Sequence, residues 1–302
     1  MSVNYADVRQ AQDRIRRFLN PTPIDVLEDG VCVKLENAIP GHSFKIRGAL
    51  NAVLEYDEAL ITASTGNFGS ALAIAGGLVG SKVTVVVPRT VTPIKVAKIK
   101  RHGVDVAVVG ESLDDAEEHA RQQADAASVR YVSPYNDRAV IAGGGVVGLE
   151  ILEQRPDASR IYVPTGGGGL VTGIAVAVSK QPGMEVIACC PDQSTAFMAA
   201  VLNSGAGSPG PSIADALVGG IEDECITVEL ARAYRIRFGL VPERSIQEAC
   251  VRLLQLGWLA EPAAAVGTAV RDKDPDAERT SSVCVLTGSN VDVSVVRAMI
   301  SE

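Results

Sequence analysis

Between positions 34 and 49 the sequence reads Lys-Leu-Glu-Asn-Ala-Ile-Pro-Gly-His-Ser-Phe-Lys-Ile-Arg-Gly-Ala, placing Lys45 at the head of a predicted helix behind a Pro-Gly turn. An amine nucleophile must shed its proton, and burial or a helix N-terminus lowers a lysine pKa toward neutrality. Taken alone, Lys45 reads first as a surface lysine on a helical turn. Ser64-Thr65-Gly66-Asn67 follows an apolar strand and precedes a helical run. Its amides and hydroxyls converge where a substrate carboxylate would bind, although an ordinary capped loop explains the same residues.

Pro164-Thr165-Gly166-Gly167-Gly168-Gly169 carries a sharper signal. Four glycines between a strand and a helix let backbone amides surround a phosphate at the positive end of the helix dipole. No Gly-Lys-Ser/Thr follows, and the spacing does not fit a dinucleotide fingerprint. A plain turn would not need four residues that each cost conformational entropy. Leu286-Thr287-Gly288-Ser289-Asn290 ends the last apolar strand. There the Thr287 hydroxyl could bond a ring nitrogen, or the segment is a simple strand-to-turn junction.

The elements that must position these segments alternate. Apolar, β-rich runs at 59–63, 82–87, 104–109, 160–163, 184–189 and 282–286 are separated by helical-period runs at 68–79, 93–102, 112–126, 170–180 and 245–257. Such alternation predicts α/β architecture with parallel sheet covered by helices on both faces. Ser112 precedes Asp114, Asp115 and Glu117 at one helix start, while Gly80, Gly103 and Gly257 stand where left-handed stops are expected. Residues 203–211 read as a surface loop rather than a domain linker.

The 302 residues are 47% hydrophobic and 21% charged, enough to bury one large core or two modest ones. A net charge of -8 gives no basic stripe for nucleic acid. No apolar run reaches the roughly 20 residues of a membrane span, and the first 20 residues lack an apolar signal region, so a cytoplasmic location is expected. The six cysteines show no paired CxxC spacing and read as reduced packing residues. No regulatory domain is expected beyond the last strand and a short helix.

Together these segments resemble the fold-type II pyridoxal-phosphate enzymes, and within them the threonine dehydratase and serine racemase group. The resemblance covers nearly the whole chain in order. Ser43-Phe44-Lys45-Ile46-Arg47-Gly48-Ala49 is similar to the lysine motif, Ser64-Thr65-Gly66-Asn67 to the substrate-carboxylate loop, the four glycines to the phosphate loop, and Thr287-Gly288-Ser289-Asn290 to the cofactor-nitrogen segment. Glu261-Pro262 and Ile213-Ala214-Asp215 resemble further segments near the active site.

The resemblance implies a tryptophan synthase β-like fold of two three-layer α/β/α domains with mostly parallel sheets. Residues 1–48 and 143–302 would form a large pyridoxal-phosphate domain, and 49–142 a small mobile one. It further implies Lys45 as the Schiff-base lysine and Cα base, with Thr65 as a second catalytic group. Phe44, Asn67, Gly166, Gly167, Gly168, Gly169 and Thr287 would hold the cofactor. Ser64, Thr65, Gly66, Asn67, Phe68, Asp215 and Glu261 would hold a small amino acid in a homodimer. A hydroxyl partner leaves the ring nitrogen unprotonated, which favours elimination. The expected activity is an ammonia-lyase converting a hydroxy amino acid such as L-threonine or L-serine to a 2-oxo acid and ammonia. A β-replacement synthase of the cysteine synthase or diaminopropionate synthase type is the alternative, followed by a racemase or a non-catalytic cofactor-binding protein.

The sequence departs from that group at informative places. Phe68 stands where histidine is usual, and Thr65 replaces the serine that serves racemases. Cys190 and Ala196 replace the glutamate and aspartate of a divalent-cation site, so no metal is expected. Gly144 and Ala216 replace glutamine and glycine, pointing to a reshaped pocket.

Overall fold

The computed structural model describes residues 2–28, 30–205 and 207–301. Among them ten strands run in chain order: β1 (Ile24–Val26), β2 (Cys32–Leu35), β3 (Ala59–Ala63), β4 (Val83–Val87), β5 (Asp105–Val108), β6 (Val129–Tyr131), β7 (Arg160–Pro164), β8 (Glu185–Pro191), β9 (Arg237–Val241) and β10 (Ser282–Leu286). The first six α-helices are α1 (Tyr5–Ile15), α2 (Lys45–Glu55), α3 (Asn67–Val79), α4 (Pro93–Lys100), α5 (Leu113–Ala126) and α6 (Arg138–Gln154). The rest are α7 (Gly169–Val178), α8 (Ala196–Leu202), α9 (Ile226–Ala233), α10 (Glu243–Gln255), α11 (Pro262–Lys273) and α12 (Val293–Ser301).

The strands form two sheets. One has six strands in the order β1-β2-β10-β7-β8-β9, parallel except for the β1-β2 pair. The other, β5-β4-β3-β6, is parallel throughout. Both faces of the central strands are covered, which is why β7 is buried at every residue and reads as a continuous apolar run rather than an alternating one. All of the four-stranded sheet comes from residues 59–131, whereas β2 and β10 bring the two ends of the chain together in the six-stranded one.

The expected stops are present, with Gly80, Gly103 and Gly257 at φ of 77°, 75° and 89°. Ser112 and Asp115 form a capping box on α5. All six cysteines are free and buried. The predicted loop at 203–211 follows α8, with Ala206 outside the described residues.

One long element departs from the sequence reading, which places no helix over 138–154. Its Gly143-Gly144-Gly145 run resembles a breaker, yet α6 continues through it. The glycines permit backbone-distance packing: a Cβ on Gly143 would stand 2.5 Å from the Arg47 carbonyl oxygen, and one on Gly145 would stand 2.6 Å from that of Gly173. Helices α2, α6 and α7 therefore approach to backbone contact at these glycines, close behind Lys45.

Candidate active site

Lys45 opens α2, and its backbone is fixed from both sides of the sequence. The Phe44 amide donates to the Thr287 carbonyl at 3.0 Å, Ser43 bridges Gly288, and the Ser289 amide donates to the His42 carbonyl at 3.0 Å. The segment after β10 is thus stitched to the turn that presents the lysine. Beneath that turn lies a buried charge cluster. Arg47 bonds Glu36 and Glu150 at 2.6 Å each, and Lys34 bonds Glu150 at 2.6 Å. All four side chains are at most 5% exposed, so α2 is pinned to β2 and α6 by paired charges that would be costly to separate.

The Lys45 side chain runs into the cleft. Its Nζ donates to the Pro134 carbonyl at 2.8 Å and lies 5.2 Å and 5.7 Å from the ring centres of Phe44 and Phe68. Burial lowers its pKa to about 8, against the opposing pull of the Glu261 carboxylate. Glu261 is perturbed the other way. Burial pushes it up to about 7, helped by Asp215, while bonds from the Asn67 side chain and the Asn290 backbone, together with the Lys45 charge, hold it down. An acid and an amine with pKa values drawn toward neutrality in one cleft are what proton transfer at ordinary pH requires.

Asn67, at the start of α3, reaches across the cleft. Its Nδ2 donates to Glu261 Oε1 at 2.9 Å and its Oδ1 accepts from Asn290 Nδ2 at 2.9 Å. Asn290 also donates to the Gly41 carbonyl at 2.8 Å, and the Glu261 amide donates to the Gly288 carbonyl at 3.1 Å. Gly288 leaves room for that carboxylate, since a Cβ there would be 2.6 Å from Glu261 Oε1.

The glycine run joins β7 to α7. Gly168 is the N-cap at φ 86°, with no side-chain cap, so the first-turn amides keep their bonding capacity. Gly169 and Lys45 line one small cavity with Phe44, Pro134, Gly144 and Leu170. Helix α3 likewise starts from a glycine N-cap, Gly66, without a side-chain cap. Ser64 is buried at this loop, Thr65 and Asn67 are half-buried and Gly66 is exposed. Phe68 is buried against the lysine.

Of the residues singled out by sequence, Lys45, Phe44, Asn67, Phe68, Glu261, Gly169 and Thr287 converge. Ser64, Thr65 and Gly66 sit at the rim, and Asp215 is exposed in a short 3-10 turn whose charge reaches Glu261. Cys190, at a position where the resembling group carries a metal ligand, is buried, with its thiol donating to the Thr165 carbonyl at 3.4 Å and pushed up to about 12 by burial. Sequence reasoning missed residues 133–136, which supply the acceptor for Lys45, and the buried cluster around Arg47. The first is a short loop with no recognisable motif, and the charged residues of the second meet only after folding.

A flexible primary amine of lowered pKa beside a loop of free amides at a helix N-terminus fits a phosphorylated aldehyde, the amine for the carbonyl and the amides for the dianion. The sequence matches the family described as pyridoxal-phosphate dependent enzyme over residues 15–288. It is 31% identical over 316 residues to the L-threonine ammonia-lyase of Thermotoga maritima, covering 99% of this chain and 79% of that protein. It is also 31% identical to the serine racemase of Bos taurus, covering 97% of this chain and 94% of the relative. Among solved structures, maize serine racemase superposes with a TM-score of 0.90 at 25% identity, covering 100% of this chain and 98% of that one. The chain belongs to the pyridoxal-phosphate dependent enzyme family, in its fold-type II branch, and pyridoxal phosphate is its cofactor.

Proposed function

We propose that the protein is an ammonia-lyase that removes the β-hydroxyl and amino group of a small hydroxy amino acid such as L-threonine or L-serine, releasing a 2-oxo acid and ammonia. The observation that carries this reading is Lys45, a cleft amine lowered to about 8 whose Nζ is held by a carbonyl and flanked by two aromatic rings.

Bound pyridoxal phosphate supplies an electron sink for the charge left at Cα when its proton departs. Lys45 would be the covalent anchor of that group and the base that takes the Cα proton. Gly166, Gly167, Gly168 and Gly169 would offer amides to its phosphate, the Asn67 side chain would serve the ring's phenolic oxygen, and the Thr287 hydroxyl would serve the ring nitrogen. Phe44 packs beside the anchor. Ser64, Thr65, Gly66 and the uncapped start of α3 receive the substrate carboxylate, and Phe68, Asp215 and Glu261 line the substrate's other side.

Residues 49–142 act as the small mobile domain that closes over the substrate and excludes water, with 1–48 and 143–302 as the large one. The separate four-stranded sheet at 59–131 supports that division. A homodimer is supported by exposed apolar side chains near the α10–α12 groove, Leu259 at 43% and Ile300 at 60%. The free cysteines support a cytoplasmic location.

Elimination is favoured over racemisation by Thr65, whose extra methyl crowds the position of a second-face acid. A panel of hydroxy amino acids assayed for 2-oxo acid and ammonia tests the assignment. Stoichiometric release of both from threonine or serine is expected. A product that keeps its amino group when a thiol or amine nucleophile is added would make the enzyme a β-replacement synthase instead.

A further inference from the structure

The site owes its shape to a contact that no sequence motif announces. Residues 133–136 follow β6 and lie between Lys45 and the glycine loop. The Pro134 carbonyl takes the Lys45 ammonium at 2.8 Å. The Tyr135 ring occupies the space that a side chain at Gly167 would need, 2.5 Å from an added Cβ, and the Tyr135 backbone stands 3.0 Å from one at Gly169.

Glu222, in the stretch after the 3-10 turn at Asp215–Leu217, binds this segment from outside. Its Oε1 accepts from the buried Ser133 hydroxyl at 2.5 Å, and its Oε2 accepts from Asn136 Nδ2 at 3.2 Å and pairs with Arg121 of α5 at 2.9 Å. Its amide donates to the Tyr135 hydroxyl at 2.9 Å. Four residues on, the Ile226 amide donates to Asn136 Oδ1 at 2.8 Å, and the Thr227 hydroxyl donates to the Gly167 carbonyl at 2.7 Å. One short stretch therefore grips residues 133–136 with one end and the glycine loop with the other.

We propose that Glu222 is a positioning residue, a clasp that holds residues 133–136 in place and, through them, the Tyr135 ring on the glycine loop, and so sets how long the phosphorylated cofactor stays bound. This rests on the reading that Lys45 and the glycine loop hold pyridoxal phosphate. Hydrogen bonds to an ionised carboxylate are about twice as strong as neutral ones, and removing Glu222 leaves the buried Ser133 hydroxyl proton without its acceptor, the oxygen still accepting from the Asn136 amide at 3.1 Å. Glu222 itself touches neither Lys45 nor the glycine loop, so its effect is transmitted through Ser133, Tyr135 and Asn136.

The test compares the parent enzyme with Glu222→Ala and Glu222→Gln. Two quantities are followed: pyridoxal-phosphate loss into a trapping protein by absorbance, and amide hydrogen exchange at 133–136 and 166–169 with and without cofactor. Glu222→Ala is expected to speed cofactor loss about tenfold or more and to raise exchange in both segments. Glu222→Gln, which keeps an acceptor for Ser133 but loses the charge, falls between. Parental exchange in both segments of the cofactor-free Ala variant overturns the clasp, as does unchanged cofactor loss. A parent protein that takes up no pyridoxal phosphate overturns the Lys45 reading instead, while exchange in the cofactor-free chains still decides whether the clasp exists.

Discussion

Two loops of this molecule have the same construction and opposite surroundings. The run at 166–169 leads from β7 into α7, and Ser64-Thr65-Gly66-Asn67 leads from β3 into α3; both helices begin on a glycine with no side-chain cap. The first loop is enclosed. Cβ atoms added at Gly167 and Gly168 would run into Tyr135 and Phe197, and one at Gly166 would press on Leu217 at 3.1 Å. The second is open, with nothing within 4 Å of a Cβ at Gly66. An enclosed cradle suits a ligand that stays through many turnovers, and an open one suits a ligand that enters and leaves each time. The underpinnings differ in the same sense: the turn carrying Lys45 rests on buried ion pairs, while the α3 loop is tied across the cleft by Asn67 through Glu261 and Asn290.

The contrast can be broken from the fixed side first. Arg47→Ala leaves Glu36 and part of Glu150 buried without their partner and is expected to destabilise the fold by about 3–5 kcal/mol, read by denaturant unfolding. A loss below about 1 kcal/mol would show that the cluster does not pin the lysine turn. Gly168→Ala comes next. A left-handed alanine costs about 1–2 kcal/mol, and its methyl would stand 2.3 Å from the edge of the Phe197 ring, for about 1–3 kcal/mol more. That cost is read by denaturant unfolding, and cofactor affinity, measured by equilibrium titration, should fall as far as the methyl displaces the amides of the glycine loop.

Glu261 connects the two sides. Its carboxylate raises the pKa of Lys45, so Glu261→Gln removes a favourable charge and lowers the lysine further. In the cofactor-free protein, labelling of Lys45 by an amine reagent should reach half its maximal rate near pH 8, and at lower pH in the Gln variant. A midpoint near 10.5 in the parent would mean that the cleft does not desolvate the amine. The smallest effect belongs to the open loop. Gly66→Ala, at φ -114° with free space around it, should change stability by less than about 0.5 kcal/mol and leave cofactor affinity intact.

The difference between the loops also explains what was legible in the sequence. Strands at 59–63 and 282–286 were readable to the residue because buried parallel strands are short apolar runs with sharp ends. The glycine run announced itself because a tightly enclosed backbone admits no side chain. The same physics concealed α6: its three glycines look like a break in one dimension and act as a contact surface in three. Pro134, Tyr135 and Glu222 carry no local signal, because their roles depend on a carbonyl direction, a ring position and a contact across some 90 residues. Lys34, Glu36, Arg47 and Glu150 likewise look like ordinary surface charges until folding pairs them.

The central claim is that Lys45 is the residue to which the cofactor is covalently attached. Borohydride reduction of the protein purified with pyridoxal phosphate, followed by peptide mass mapping, tests it directly. A single pyridoxyl adduct on Lys45, absent from Lys45→Ala, is the predicted result. A protein that stays colourless with cofactor, or an adduct that maps to another lysine, would contradict it.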